Sequence, residues 1–238
     1  MLGPVLDTYK TNVRMTAIVV ALGIIFCTPL YFATQETNSA IARLIFLAAL
    51  AFFILLVAER LTARAYLHDN GISYHSILTR KEMRWQEVER LYYGAHLLSG
   101  HAAVLGTFYR LKLLDQNGQK LSLGDRVGRI PQLAEKIAQA TYEPLLRKAT
   151  DRFNRGDVLD FGLVLVSPAA GLILKRWYAD ATIPWDQLAS YKLDAGAFYV
   201  WRVGQKHTKG LPTESIPNAW VLLGLLNAAA KAAATAKS

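Results

Sequence analysis

The sequence predicts an α+β protein in which two N-terminal membrane-spanning helices precede two small β-rich domains, each closed by a C-terminal helix. Two observations predict this class: residues 1–64 contain two long apolar segments, and the rest of the chain repeats a pattern of glycine, tryptophan and Ile-Pro. The chain has 238 residues, of which 53% are hydrophobic and 19% charged, and a single cysteine. This composition excludes a disordered protein and a disulfide-stabilised scaffold.

The apolar segments are each long enough to cross a bilayer. Residues 15–33 carry no charge, and residues 40–58 carry only Arg43, close enough to one end for its side chain to reach the headgroups. A helix of about 20 apolar residues crosses a hydrocarbon core of about 30 Å. The short connection at 34–39 requires an antiparallel hairpin, and Pro29 is expected to kink the first helix. A cleaved signal peptide and buried core helices are the alternatives, but the second apolar run and the missing polar face argue against them.

Basic residues predict the orientation of this hairpin. Lys10 and Arg14 precede the first segment and Arg60 and Arg64 follow the second, whereas the connection contains no Lys or Arg. The positive-inside rule therefore predicts a multi-pass protein of the cell (inner) membrane with both termini in the cytoplasm. The one cysteine, Cys27, lies within the first segment, so the chain forms no intramolecular disulfide.

The part that follows the hairpin contains an internal repeat. In both copies a glycine turn precedes a tryptophan by fourteen residues, and an Ile-Pro pair later opens a helix. The matching segments are Gly71-Ile72 with Trp85-Gln86-Glu87-Val88 and Ile130-Pro131 in the first copy, and Gly171-Leu172 with Trp185-Asp186-Gln187-Leu188 and Ile216-Pro217 in the second.

Each copy is predicted to be mainly β with one closing helix. Asn117-Gly118 between apolar runs is a strong hairpin signal. Residues 142–156 form an amphipathic pattern that predicts a connector helix, which Pro144 should break or bend from the preceding helix. The predicted domains are therefore 1–64, 65–141, the connector 142–156, and 157–238. Predicted strands cover 66–68, 72–77, 87–93, 110–114 and 120–123 in the first copy, and 158–166, 172–177, 188–193 and 198–203 in the second.

Several motifs carry a resemblance to a known architecture: His68-Asp69-Asn70-Gly71-Ile72, Met83-Arg84-Trp85-Gln86-Glu87-Val88, Asp160-Phe161-Gly162, Ile183-Pro184-Trp185-Asp186 and Ile216-Pro217-Asn218. Residues 65 to about 230 resemble paired pleckstrin-homology-like (PH-like) β-barrel or sandwich domains of a membrane-anchored bacterial protein, and are similar to an uncharacterised family, a domain of unknown function. This resemblance implies a fold and no chemistry. The first copy departs from it through an apolar insertion at 95–106.

The sequence offers no arrangement typical of an enzyme. It has no Walker glycine loop, dinucleotide fingerprint, nucleophile elbow, HExxH or CxxC motif. The five histidines are scattered, and His96 with His101 lacks a nearby third ligand for zinc. We therefore expect no catalytic residues, no metal and no cofactor.

Basic clusters are the candidate binding residues. In lipid-binding PH domains the matching turn presents cations to a phosphorylated headgroup, while a solvated turn is the alternative. The net charge of +7 on residues 65–238 suits an anionic leaflet, and Trp85 and Trp185 are expected to be core residues, so nucleic acid is not expected as a partner. The candidates are Arg80, Lys81 and Arg84 in the first copy, and Lys175, Arg176, Lys206 and Lys209 in the second.

These patterns predict a binding or scaffolding module at the membrane surface. Its expected partners are membrane lipids and either an unknown protein or a second copy of the chain. Recognition of anionic lipid headgroups through the basic turns is the alternative function, and a sensor of bilayer strain acting through residues 60–65 is a further one.

Overall fold

A computed structural model describes residues 2–37, 39–99, 104–124, 126–175, 180–194, 196–206, 208 and 210–235. The fold is α+β, with two apolar N-terminal helices and four antiparallel sheets of three or four strands. The chain divides into two compact units. The first unit comprises residues 1–84 and 123–130, and the second comprises residues 85–122 and 131–238.

The two apolar segments are helices α1 (Val13–Thr37) and α2 (Ala40–Thr62), each longer than its predicted span. Both are long and apolar enough to cross a membrane. They pack against each other where Gly23 of α1 leaves room for the ring of Phe53, since a Cβ at this glycine would overlap that ring. Most of their other large apolar side chains are exposed. Thr28 and Thr34 donate their hydroxyls to carbonyls of their own helix, which satisfies these polar groups within an apolar segment.

The hairpin is inserted into a four-stranded sheet. Strand β1 (Val5–Tyr9) precedes α1, and β2 (Arg64–His68) follows α2. The two strands pair antiparallel, with Tyr9 opposite Ala65. Strands β3 (Gly71–His75) and β4 (Arg80–Arg84) complete the sheet in the order β1-β2-β3-β4. Strand β1 was not predicted, because its partner lies on the far side of the helical hairpin.

A second sheet and a long helix follow. A 3₁₀ turn at Trp85–Glu87 leads into β5 (Val88–Ser99), β6 (Val104–Asp115) and β7 (Lys120–Leu123), which form a sheet in that order. The predicted insertion at 95–106 lengthens the β5–β6 hairpin, although residues 100–103 lie outside the described part of the chain. Helix α3 (Ile130–Asn154) closes this part.

The remaining chain repeats this order of elements. Strands β8 (Leu159–Phe161), β9 (Val164–Ser167), β10 (Gly171–Leu174) and β11 (Ala181–Ile183) form a four-stranded sheet. After a 3₁₀ turn at Trp185–Gln187 come β12 (Leu188–Asp194), β13 (Ala197–Arg202) and β14 (Leu211–Pro212) in a three-stranded sheet, and then α4 (Ala219–Thr235). The core of this copy includes Val164, Leu172, Phe198 and Leu222, each fully buried.

Both tryptophans occupy the same place in their copy, a 3₁₀ turn before the first strand of the three-stranded sheet. Trp85 is 8% exposed, as expected for a core residue. Trp185 is half-buried, with its indole N–H 3.1 Å from the carbonyl of Ser167 and 2.9 Å from that of Pro168. Its ring meets Phe153 edge to face. The repeat found in the sequence is thus a repeat of secondary structure.

Three predictions of local structure were wrong. The expected strand at 158–166 is a tight hairpin, because Gly162 adopts φ +69° and turns the chain between β8 and β9. Pro144 was expected to break or bend the connector from the preceding helix, and the break is absent: residues 142–154 continue helix α3, and a 3₁₀-like turn ends it near Gly156. Among the described residues no sheet closes into a barrel. The domain boundaries stay a prediction.

Candidate functional site

The first unit contains a polar and basic structure where the two helices meet the sheet, which we call the collar. It consists of residues 10–14 before and in α1, 59–64 at the end of α2, the β3–β4 turn at 76–79, and the segment 126–129. The four pieces are joined by hydrogen bonds over long sequence separations. The collar therefore fixes the helical hairpin to the sheet.

Two side chains cap the helices at the collar. Asn12 caps α1: its carbonyl accepts from Thr16 N–H at 3.0 Å and its side chain from Met15 N–H at 3.4 Å. The hydroxyl of Thr11 lies 2.7 Å from the carbonyl oxygen of Arg60 and 3.0 Å from that of Ala63, at the end of α2. Carbonyls at a helix end lack partners within the helix, so Thr11 supplies one.

Glu59 lies at the centre of the collar and is only 7% exposed. Its Oε2 accepts a hydrogen bond of 3.0 Å from Leu78 N–H in the β3–β4 turn. Its Oε1 lies 3.8 Å from the guanidinium of Arg126. A buried carboxylate requires such partners, because removing a charge from water costs several kcal/mol. Glu59 therefore connects α2 to both the turn and the segment 126–129.

The segment 126–129 lies along the start of the hairpin. Gly128 N–H donates to the Lys10 carbonyl at 2.8 Å, and Thr11 forms a β-bridge with Val127. Arg129 places its guanidinium 5.1 Å from the centre of the Tyr9 ring and 3.9 Å from Asp7. These contacts hold two arginines, Arg126 and Arg129, beside the helix ends.

The charge of the collar is strongly positive. Its four segments contain six basic side chains and one acidic side chain, Glu59. The basic residues are Lys10, Arg14, Arg60, Arg64, Arg126 and Arg129. An arrangement of this kind attracts anionic groups.

The structure divides the first predicted basic cluster. Arg80, Lys81 and Arg84 were expected together in a turn, but they belong to strand β4. Arg80 pairs with His75 at the collar end of the sheet, and Arg84 with Gly71 at the opposite end. Four steps along the strand, with three residues between them, place Arg80 and Arg84 about 13 Å apart. Arg80 is well exposed and lies 3.1 Å from Glu82. Only Arg80 and Lys81 therefore adjoin the collar.

The basic residues predicted in the second copy lie in the second unit, and two of them, Lys175 and Lys206, are in the described part of the chain. Lys175 follows β10 and lies 3.5 Å from the carboxylate of Asp160. Lys206 is exposed in the turn after β13. Arg176 and Lys209 lie outside the described residues.

The second unit contains a cleft of about 190 Å³ lined by charges of both signs. Its lining includes the basic residues Arg90, Lys148 and Arg152 and the acidic residues Glu89 and Asp160. A hydrogen bond with Tyr92 is the main cause that raises the pKa of Arg90, and Asp160 contributes to the same direction. Because its charges largely balance, the cleft selects less strongly for anions than the collar does.

Sequence reasoning did not find Thr11, Asn12 or Glu59 as site residues. Two signals were present. Asn12 lies three residues before the first apolar run, and asparagine there is typical of a helix cap; Glu59 directly follows the second run. Within the described residues, no group of three or more His, Cys, Asp and Glu side chains is placed to hold a metal ion.

Comparison with known proteins places the chain in a family. No curated protein matches the sequence. A family model, described as a family of unknown function (DUF6585), matches residues 1–235. The match covers the collar, the helical hairpin and both copies of the repeat, so the chain belongs to the family of unknown function DUF6585.

Proposed function

We propose that the chain is an integral membrane protein whose hairpin of α1 and α2 spans the cell (inner) membrane and whose sheets form a binding or scaffolding module at the cytoplasmic surface. The observation that carries this proposal is the pairing of β1 with β2 across the hairpin. Strands paired in one sheet lie on the same side of a membrane, so a hairpin that enters from β1 must return to β2.

The distribution of charge supports the orientation. The collar carries six basic side chains, whereas the connection between the helices, residues 34–39, contains Glu36 and no Lys or Arg. By the positive-inside rule the collar lies on the cytoplasmic side, and with it both termini.

The order of elements supports PH-like domains. Each copy has four strands, then three strands, then a helix, which is the order of a PH-like fold. The first copy takes its first strand from before the hairpin, so the hairpin replaces the loop between the first two strands. That insertion holds a PH-like sheet close to the bilayer, where such domains bind lipids or proteins.

A labelling experiment tests the topology. In a Cys27→Ala background, Glu36→Cys places a thiol near the tip of the hairpin and Asn117→Cys places one in the β6–β7 turn. With intact spheroplasts, a membrane-impermeant maleimide is expected to label only Glu36→Cys, and Asn117→Cys only after permeabilisation. The reverse pattern contradicts the orientation, and labelling of both in intact spheroplasts contradicts a spanning hairpin.

A crosslinking experiment tests the scaffolding role. Tagged full-length protein is crosslinked in native membranes and its products are identified by mass spectrometry, with a chain carrying only the hairpin as control. A protein partner or self-crosslinks that require residues 65–238 are expected. Products identical to those of the hairpin control contradict the scaffolding role.

Recognition of anionic headgroups is the second candidate function, and the charge of the collar favours it. Each basic residue near an anionic surface contributes about 1 kcal/mol, so Arg80→Ala with Lys81→Ala removes about 2 kcal/mol and should weaken binding of short-chain phosphatidylglycerol by about thirtyfold. Arg84→Ala with Lys120→Ala removes the same charge elsewhere and serves as the control. Equal affinity of both double variants contradicts this function.

A further inference from the structure

The β3–β4 turn exposes two large apolar side chains at its tip. Ile77 is 54% exposed and Leu78 is 65% exposed, whereas Ile72 and Tyr74 of the preceding strand are buried. The turn itself is well ordered by hydrogen bonds: Ser76 N–H donates to the Thr79 carbonyl at 2.8 Å, and Thr79 N–H to the Ser76 hydroxyl at 3.1 Å. The hydrogen-bonded backbone of the turn therefore keeps the side chains of Ile77 and Leu78 exposed to solvent.

Helix α2 fixes the position of this turn. Leu78 N–H donates to the buried carboxylate of Glu59 at 3.0 Å, and Ile77 N–H to the hydroxyl of Thr62 at 3.3 Å. Both acceptors lie in the last turn of α2. The backbone of the turn is therefore attached to the helix at the point where its apolar segment ends.

The depth of the turn follows from the geometry of α2. The apolar segment ends at Ala58. At 1.5 Å per residue, Glu59 and Thr62 lie roughly 2 to 6 Å beyond that end, at the boundary between acyl chains and headgroups. Apolar side chains at a membrane surface are buried about 5–10 Å into this boundary. Ile77 and Leu78 are thus presented at the depth where lipid can bury them.

Resting on the proposed function, we propose that Ile77 and Leu78 insert into the cytoplasmic leaflet as an apolar wedge, with the lipid bilayer as their binding partner. The neighbouring Arg80 and Lys81, and Arg126 held by Glu59, then lie among the headgroups. The wedge gives the first sheet a third attachment to the membrane besides the two helices. It limits rotation of the sheet about the hairpin.

Depth-dependent fluorescence quenching tests the wedge. Full-length protein with Cys27→Ala and a single new cysteine is labelled with the fluorophore NBD and reconstituted into phosphatidylcholine and phosphatidylglycerol vesicles. The test site is Leu78→Cys, repeated at Ile77→Cys. Asn70→Cys, in the exposed turn at the other end of β3, is the matched control from the same sheet. Leu47→Cys reports the hairpin itself, because it is exposed near the middle of α2.

Lipids carrying a shallow spin label are expected to quench positions 77 and 78 at least about twofold more than position 70, while aqueous iodide quenches position 70 more strongly. Quenching at 77 and 78 equal to that at 70 overturns the wedge, and so does protection from both lipid label and iodide, since protein then covers the turn. Deep spin labels should quench position 47. If they do not, the spanning hairpin fails, and this result is distinguishable from failure of the wedge alone.

Discussion

Asn218 joins distant parts of the second unit through three hydrogen bonds. Its side chain donates to the Glu89 carbonyl at 2.7 Å and accepts from Leu91 N–H at 2.8 Å, and its own N–H donates to the Leu91 carbonyl at 2.7 Å. Its φ of +55° is one that asparagine tolerates better than most residues. The side chain therefore imitates a peptide group at the edge of β5.

Replacement of Asn218 by Ala is expected to lower the free energy of unfolding by about 2–4 kcal/mol, from two lost hydrogen bonds and the cost of a positive φ. Asn218→Gly loses the same hydrogen bonds but not the backbone preference, so it should be less harmful by about 1 kcal/mol. Denaturant unfolding of the full-length protein in detergent measures both. Equal losses would show that the φ angle contributes nothing.

The raised pKa of the Tyr93 phenol predicts that the protein loses stability at alkaline pH. Burial raises the pKa of its phenol, and neighbouring Tyr109, stacked 6.3 Å away, adds to the shift. Above about pH 10 the native state then holds a proton that the unfolded state releases, so the free energy of unfolding falls as pH rises. Tyr93→Phe keeps the ring and should flatten this decline between pH 9 and about 11. Thermal melting across that range checks the prediction, and an unchanged slope contradicts it.

At the scale of elements, the sequence predicted those whose signals are local. The Asn-Gly turn predicted the β6–β7 hairpin, and Gly118 has the positive φ that this turn requires. The two helices followed from apolar length alone. Strand β4 was missed because its sequence, RKEMR, contains one apolar residue, Met83, which is the only one of its five side chains that is fully buried.

The candidate site was less predictable than the fold. The basic residues were chosen from proximity in sequence, but a strand places residues 80 and 84 at opposite ends of a sheet. The collar brings together segments separated by as many as 118 positions, such as Lys10 and Gly128. Such pairings leave no periodic signal in a single sequence, and only the topology reveals them.

The repeated glycines give a prediction at the scale of the four-stranded sheets. A Cβ on Gly71 would meet the carbonyl oxygen of Met83, and one on Gly171 would meet that of Ile183. Gly71→Ala should therefore cost about 1–3 kcal/mol of stability through overpacking. Gly171→Ala should cost about 1 kcal/mol more, since its φ is also positive.

Gly118→Ala isolates the contribution of φ, because this glycine has φ +79° and open space around its Cβ position. Denaturant midpoints of the three variants should rank Gly118→Ala as the least harmful and Gly171→Ala as the most harmful. If Gly71→Ala is as stable as the unmodified protein, the close approach seen in both copies has no role in stability.

At the scale of the whole molecule, the two copies differ most at one connection. In the second copy, Phe161 and Val164 are paired across a turn of two residues, Gly162 and Leu163. In the first copy, Tyr9 and Ala65 occupy the corresponding pair, and the helical hairpin takes the place of the turn. The hairpin is thus an insertion at a site where the repeat itself needs only a short turn.

This comparison predicts that the hairpin can be removed. Replacing residues 10–64 with Gly-Leu, the turn of the second copy, should leave β1 paired with β2 and remove nearly all of the exposed apolar helix surface. The shortened protein loses the contacts of Thr11 and Glu59 and should be less stable. It is nevertheless expected in the soluble fraction without detergent, with protected amides in β1 and β2 by hydrogen exchange.

A variant in which a single Gly replaces residues 10–64 is the matched control. It shifts β1 by one residue relative to β2, and such a shift turns the buried side chains of a strand outward. That variant should lose the protection of β1 and expose Tyr9, which is 1% exposed in the complete chain. If both shortened proteins aggregate while the complete chain folds in detergent, the hairpin contributes to the folding of the sheet and is more than an inserted anchor. The alternative outcome is that the amides of β1 are protected from hydrogen exchange with the Gly-Leu turn but not with the single Gly. That outcome would show that the pairing of β1 with β2, rather than the membrane helices, completes the first sheet.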